Sequence, residues 1–258
     1  MFNSPDPFIW VRDEMLPPNL CEDIINRFEN DNRVTKGIVG SDMSYKPDIK
    51  RSDDLNISGF PEEWNDVDSF LSSVLGFSIK EYRADIEQAH SLKKFEDNHS
   101  FDDEKPLFPF LPLHAENCVT DSGFQVQRTY PHDRYDWHPD DIIEYAAAKQ
   151  RVLTYIFYLN DITEGGETEF MNGIKVQPRQ GRMVLFPSTW TYLHRGRPPL
   201  GRTTKYIATG WVYVSIDRPE PPPQLEESST EILEEEEDYG FEAPLSKQEL
   251  TLDLTTLQ

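Results

Sequence analysis

From Gly123 onward the sequence breaks into short apolar runs divided by turn residues, and this rhythm constrains the fold more than any other feature. The runs span 124–130, 151–159, 173–176, 182–186 and 205–214, with turns at 161–166 and 178–181. Segments this short and this evenly punctuated predict the strands of a β-sandwich or barrel. One interruption, 143–149 (Ile-Glu-Tyr-Ala-Ala-Ala-Lys), leans towards helix.

Upstream, residues 8–12 read as a short strand that Pro17 and Pro18 end. Asn19 is placed to cap a helix running to about residue 30, with Leu20, Ile24, Ile25 and Phe28 along one face. A second helical pattern covers 62–75, where Trp64, Val67, Phe70, Leu71 and Val74 recur at helical spacing. Residues 91–122 are polar at first and then rich in Pro and Phe. A segment of that kind is an irregular loop, either a lid or a plain surface excursion. The expected organisation is therefore 1–90 as helices and strands supporting a barrel, 91–122 as loop, 123–216 as the core, and 217–258 as a tail.

Charge marks off that tail. The chain carries a net charge of -22, and residues 217–258 hold 13 acidic residues against Arg218 and Lys247, half of the excess. Such a segment repels itself and buries too little apolar surface to offset its ordering entropy, so disorder is expected there. It reads as a partner-binding arm or a solubilising extension. An acidic body makes nucleic acid an unfavoured partner, because that interaction relies on Lys and Arg neutralising phosphates. No run approaches the ~20 apolar residues of a membrane helix, and no basic-then-apolar leader opens the chain. Cys21 and Cys118 are the only cysteines and fit a reducing compartment as well as one disulfide. The expectation is a cytoplasmic protein without membrane attachment.

The chemistry gathers around two histidines. His138-Pro139-Asp140 sets an imidazole and a carboxylate two residues apart, and on an extended strand such residues face the same side. A third ligand must come from a distant strand, and His194, 54 residues beyond Asp140, is the best placed candidate. Two His and one carboxylate leave open positions on an ion, which suits non-heme Fe(II). A catalytic zinc site also uses three protein ligands, although no H-E-x-x-H companion is present. His90, His99, His114 and His132 have no partner at ligand spacing and read as surface or hydrogen-bonding residues.

The run Arg151-Val-Leu-Thr-Tyr-Ile-Phe-Tyr-Leu-Asn160, with Glu164-Gly-Gly-Glu-Thr-Glu-Phe170, resembles the prolyl 4-hydroxylase-like Fe(II)/2-oxoglutarate oxygenases. So do Val176-Gln-Pro-Arg-Gln-Gly181, Leu185-Phe-Pro187, His194-Arg-Gly-Arg-Pro-Pro199 and Lys205-Tyr-Ile-Ala-Thr-Gly-Trp211. The pieces keep the family's order over about 123–215 and look most like its compact bacterial and phage-encoded members. The resemblance implies a mainly β fold with flanking helices around a double-stranded β-helix (a jelly roll, cupin-like). It also implies action in a bacterial cytoplasm, that of a phage host if the chain is phage-encoded.

By that resemblance, His138, Asp140 and His194 bind Fe(II), and Lys205 pairs with the far carboxylate of the co-substrate 2-oxoglutarate. O2 is the second co-substrate, and ascorbate is an accessory reductant. Lys205 follows His194 by 11 positions, about one more than is usual, which leaves Arg202 as its rival. Tyr158 corresponds to a tyrosine that hydrogen-bonds the same carboxylate, and Tyr130 to one near the metal and co-substrate. Thr154 shares the Tyr158 face. Arg151 and Tyr135 fall at positions for contacting substrate. All of these also read as ordinary buried or ion-paired residues. The implied reaction is hydroxylation, most readily of a prolyl residue in a peptide or protein. A free amino acid, another side chain, AlkB-like demethylation and a non-catalytic jelly-roll binding or assembly protein are the other readings. The partner is accordingly a peptide, protein or small-molecule substrate.

Overall fold

The structure, a computed structural model, describes residues 5–40, 44–91, 119–144 and 149–215. The acidic tail, Cys118 and most of the 91–122 loop lie outside the described residues, as do 145–148 of the stretch read as helix-leaning.

Among the described residues, thirteen strands and two long helices follow in this order. β1 is Trp10–Arg12, α1 Pro18–Glu29, β2 Thr35–Lys36, β3 Asp53–Asn56 and α2 Pro61–Ser91. Then come β4 (Val119–Asp121), β5 (Gln125–Thr129), β6 (Tyr135–His138), β7 (Ile143–Glu144), β8 (Lys149–Tyr158) and β9 (Thr168–Phe170). β10 (Lys175–Val176), β11 (Met183–Pro187), β12 (His194–Gly196) and β13 (Lys205–Ser215) complete the set.

All pairings are antiparallel and make two sheets. The major sheet has the order β1-β11-β8-β13-β5-β3-β2, with β4 on β13 and β7 on β8. The minor sheet has the order β10-β9-β12-β6. Two sheets facing each other, with strands crossing between them in sequence, form the jelly roll that the strand rhythm and the resemblance lead one to expect. No described helix is long and apolar enough to cross a membrane.

Alternation along the central strands explains why they read as nearly continuous apolar runs. On β8, Leu153, Tyr155 and Phe157 point to the helical layer, while Thr154, Ile156 and Tyr158 point between the sheets. β11 divides the same way, with Met183 and Leu185 outward and Val184 and Phe186 inward. The outward set packs on Cys21, Ile24 and Phe28 of α1 and on Trp64, Val67, Leu71 and Leu75 of α2. These central strands are covered on both faces and so show no polar alternation.

The helices depart from expectation in detail. Pro17 occupies the N-cap of α1 with Pro18 in the first turn, and no side chain caps the end, so Asn19 lies inside the helix. Proline there forgoes only an N–H that would be unpaired anyway. The second helix runs to Ser91, well past 75. Its buried face is Trp64, Val67, Leu71 and Leu75, and Phe70 faces outward at 42% exposure. Residues 143 and 144 are strand, adding β7 beside β8. The N-terminal segment does more than support the barrel, since β1, β2 and β3 are strands of the major sheet itself.

Candidate active site

β6 and β12 lie side by side in the minor sheet with His138 directly opposite His194. Pro139 then carries the chain off the end of β6 and swings Asp140 in beside them. One ligand atom from each residue lies within 4.8 Å of the other two, the only such cluster among the described residues. His138 Nε2 is 3.7 Å from Asp140 Oδ1, and His194 Nε2 is 3.5 Å from Asp140 Oδ2.

Each imidazole is fixed from behind. Nδ1 of His138 lies 2.7 Å from the Asp136 carbonyl, and Nδ1 of His194 lies 3.0 Å from the Tyr192 carbonyl. A carbonyl can only accept, so each Nδ1 carries the proton and each Nε2 turns its lone pair towards Asp140. Burial pushes the His138 pKa down to about 4, with the neighbouring His194 adding to the effect, so the ring is neutral as a metal ligand must be. Burial raises the Asp140 pKa, and the electrostatic attraction of protonated His194 and His138 together with hydrogen bonds from Thr154 and Trp211 lowers it on balance. Once the rings are neutral, the two hydrogen bonds and a bound cation would take over that part. Thr154 Oγ1 donates to Asp140 Oδ2 at 2.8 Å and meets Ser188 Oγ at 3.0 Å. Two neutral nitrogens and one carboxylate, facing one point with open positions opposite, fit a divalent non-heme iron.

These residues form one end of a cavity between the sheets, and Lys205 lies in its wall. Lys205 is only 5% exposed, and its Nζ donates to the Gly166 carbonyl at 3.1 Å. Burial lowers its pKa to about 8 despite the attraction of Glu167. A buried ammonium with so little compensation is costly unless an anion joins it. Thr129, Thr168, Thr209, Ile156, Ile207 and Trp211 add lining, and the Trp211 indole N–H adds to the pull that lowers the Asp140 pKa. Gly165 and Gly166, both at positive φ, turn the chain that supplies the Lys205 carbonyl contact.

The other residues singled out from the sequence fall in different places. Arg202 is exposed on the loop before β13 and does not line the cavity, whereas Lys205 does. Thr154 lines the cavity through its contact with Asp140. Tyr135 lines it and stacks on His138, ring centroids 3.5 Å apart. Tyr158 is fully buried, with its hydroxyl 2.7 Å from Thr168 Oγ1, so it stands behind the lining. Arg151 lies outside the cavity, its guanidinium 3.6 Å from the Trp211 ring and its Nε donating to the Tyr213 hydroxyl at 3.1 Å. Tyr130 departs from its expected place. It follows β5, is 41% exposed and packs beneath Arg128, while Thr129 holds the neighbouring wall position.

One wall was missed by sequence reasoning altogether. Residues 49–51 attach to the edge of β6 through the Lys50–Tyr135 bridge, Arg51 N–H to the Arg134 carbonyl (2.9 Å) and Asp136 N–H to the Ile49 carbonyl (2.8 Å). This brings Lys50, Arg51, Ser52 and Arg134 to the cavity. Only long-range strand pairing does so, and no local pattern in 45–52 signals it.

Residues 124–213 match the model of the 2OG-Fe(II) oxygenase superfamily. The chain is 32% identical over 116 residues to a probable prolyl 4-hydroxylase 9 of Arabidopsis thaliana (35% of this chain, 40% of that protein). It is 36% identical over 100 residues to prolyl 4-hydroxylase 1 of the same plant (32% and 34%). The chain thus spans less than half the length of the curated relatives it matches. Among solved structures, a prolyl hydroxylase from Trichoplax adhaerens, in complex with a hypoxia inducible factor peptide fragment, shares the fold. Its TM-score is 0.56 at 16% identity, over 81% of this chain and 84% of that one. The viral collagen prolyl hydroxylase of Paramecium bursaria Chlorella virus-1 aligns with a TM-score of 0.50 at 20% identity, over 80% and 96%.

Proposed function

We propose that this chain is an Fe(II)- and 2-oxoglutarate-dependent dioxygenase that hydroxylates a prolyl residue of a peptide or protein. The observation that carries this reading is the convergence of His138, Asp140 and His194 on a cavity whose wall holds the buried Lys205 ammonium. A metal triad alone fits many reactions. A triad sharing a cavity with a buried cation fits a co-substrate that chelates the metal at one end and carries a carboxylate at the other. Iron and 2-oxoglutarate, held by these residues, would supply the oxidising power to convert a substrate C–H to C–OH, with O2 consumed and succinate and CO2 released.

The chain's own residues then take distinct parts. His138, Asp140 and His194 hold the metal, and the Asp136 and Tyr192 carbonyls fix the two rings. Thr154 orients Asp140. Lys205 anchors the far carboxylate, and Tyr158 supports that end through Thr168. Tyr135 braces His138 and borders the opening, and Arg151 steadies Trp211. The apolar lining limits water around the reacting centre. A prolyl substrate is the class named by the Arabidopsis relatives, which supports it over a free amino acid or a nucleobase.

The test is mass spectrometry on proline-containing peptides incubated with Fe(II), 2-oxoglutarate and O2. A gain of one oxygen on proline, matched by succinate, is expected. Succinate released with every peptide left unmodified would move the substrate elsewhere.

A further inference from the structure

The charged side chains at this cavity are unevenly matched. Lys50, Arg51, Arg134 and Lys205 line it against the single carboxylate of Asp140, in a chain whose net charge is -22. Asp140 faces the metal position, and Lys205 lies in the inner wall. Lys50 is buried and already neutralised, with Nζ 2.7 Å from Asp54 Oδ2. The two arginines remain, and both are exposed.

Their placement follows from the register described above. Arg51 and Arg134 lie on adjacent extended segments joined by the Arg51 N–H to Arg134 carbonyl bond of 2.9 Å. Like charges on neighbouring strands repel, and the contacts that offset this are thin. Arg51 Nε donates to the Pro47 carbonyl at 2.9 Å, and its Nη1 stands 3.8 Å from Asp133 Oδ1. Among the described residues, Arg134 reaches only the Asp48 carbonyl, at 3.4 Å. A guanidinium has five N–H donors, so most remain for a ligand.

We propose that Arg51 and Arg134 form a carboxylate-binding rim, and that the substrate is an acidic peptide with an Asp or Glu side chain close to the residue that reaches the metal. This rests on the peptide-hydroxylase reading and narrows it. The geometry favours a peptide over a nucleic acid because two arginines on an otherwise acidic body can pair with a carboxylate or two but cannot track a phosphate backbone.

The test measures binding separately from turnover. Fluorescence anisotropy would follow labelled proline-centred peptides that differ only in whether Glu, Gln or Lys flanks the proline, at low and high salt. The uncoupled succinate formation of the wild-type protein would be assayed alongside. The Glu peptide should bind about five- to tenfold more tightly than the Gln peptide, with the Lys peptide weakest, and the difference should shrink in salt. R51E/R134E should reverse the order, and the milder R134Q should reduce the preference if the double variant does not fold. Equal binding of the three peptides, an unchanged preference in the folded variants, or tighter binding of a single-stranded oligonucleotide would overturn the proposal. Wild-type succinate formation would in that case leave the oxygenase reading standing, and its absence alongside a Glu preference would count against that reading alone.

Discussion

His138 and His194 occupy directly opposed positions on β6 and β12, and this register brings both Nε2 atoms to one point beside Asp140. A slip of one residue in either strand would turn one imidazole to the opposite face. The site is therefore a product of strand pairing, and the two carbonyls behind the rings complete it.

Replacing Asp140 with Ala should remove the only anionic ligand and lower Fe(II) affinity at least about 100-fold while the domain stays folded. Thr154→Val, which removes the hydroxyl bond to Asp140 Oδ2, should cost about tenfold in the same assay. Anaerobic Fe(II) titration followed by circular dichroism checks both. Retained affinity in the Asp140 variant would remove Asp140 from the metal site.

Lys205→Ala should raise the 2-oxoglutarate KM by about 100-fold, the scale of losing a buried charge partner. Arg202→Ala should leave it unchanged, since Arg202 is exposed and lies outside the cavity. Steady-state succinate formation at varied 2-oxoglutarate separates the two. A large effect from Arg202 alone would reassign the anchor.

The pH response follows from the same lysine. Its pKa of about 8 in the folded chain lies below the usual 10.5. Between those values the unfolded chain binds more protons, so stability of the ligand-free domain should rise with pH across that window. Denaturant midpoints measured from pH 7 to 10 test the sign. In turnover the trend opposes this. kcat/KM for 2-oxoglutarate should fall as pH rises through about 8, because the free enzyme loses the ammonium that binds the carboxylate. Lys205→Arg should move that alkaline limb upward.

Gly210 offers a packing test away from the chemistry. A Cβ there would overlap the Tyr155 hydroxyl and come within 2.5 Å of the Gly123 carbonyl. Gly210→Ala should therefore destabilise the domain by about 1–3 kcal/mol, read as a lower chemical-denaturation midpoint.

How much of this was legible in the sequence varies with the range of the interaction. The strands β5, β8, β11 and β13 could be read because apolar runs bounded by turns are local signals. The triad could be read because His138 and Asp140 are close in sequence and His194 follows a recognisable strand. Lys205 could be preferred over Arg202 through the resemblance, because Tyr206 follows it and Trp211 lies six residues on, as in the family strand. Tyr130 was misplaced because β5 ends at Thr129 and the chain then turns outward, a boundary that a run of apolar residues does not mark. Phe70 was misread because helical spacing defines a stripe but not its edges. The 49–51 wall was invisible because it exists only through pairing with residues more than 80 positions away.

The central claim is that one cavity binds Fe(II) through the triad and 2-oxoglutarate through Lys205. The most direct measurement is the visible spectrum of the anaerobic protein with Fe(II) and 2-oxoglutarate, followed by exposure to O2 and assay for succinate. A weak charge-transfer band that forms in the wild type, is absent in Asp140→Ala, and decays with succinate formation on adding O2 is predicted. No band in folded wild-type protein, or the same band in the Asp140 variant, would contradict it.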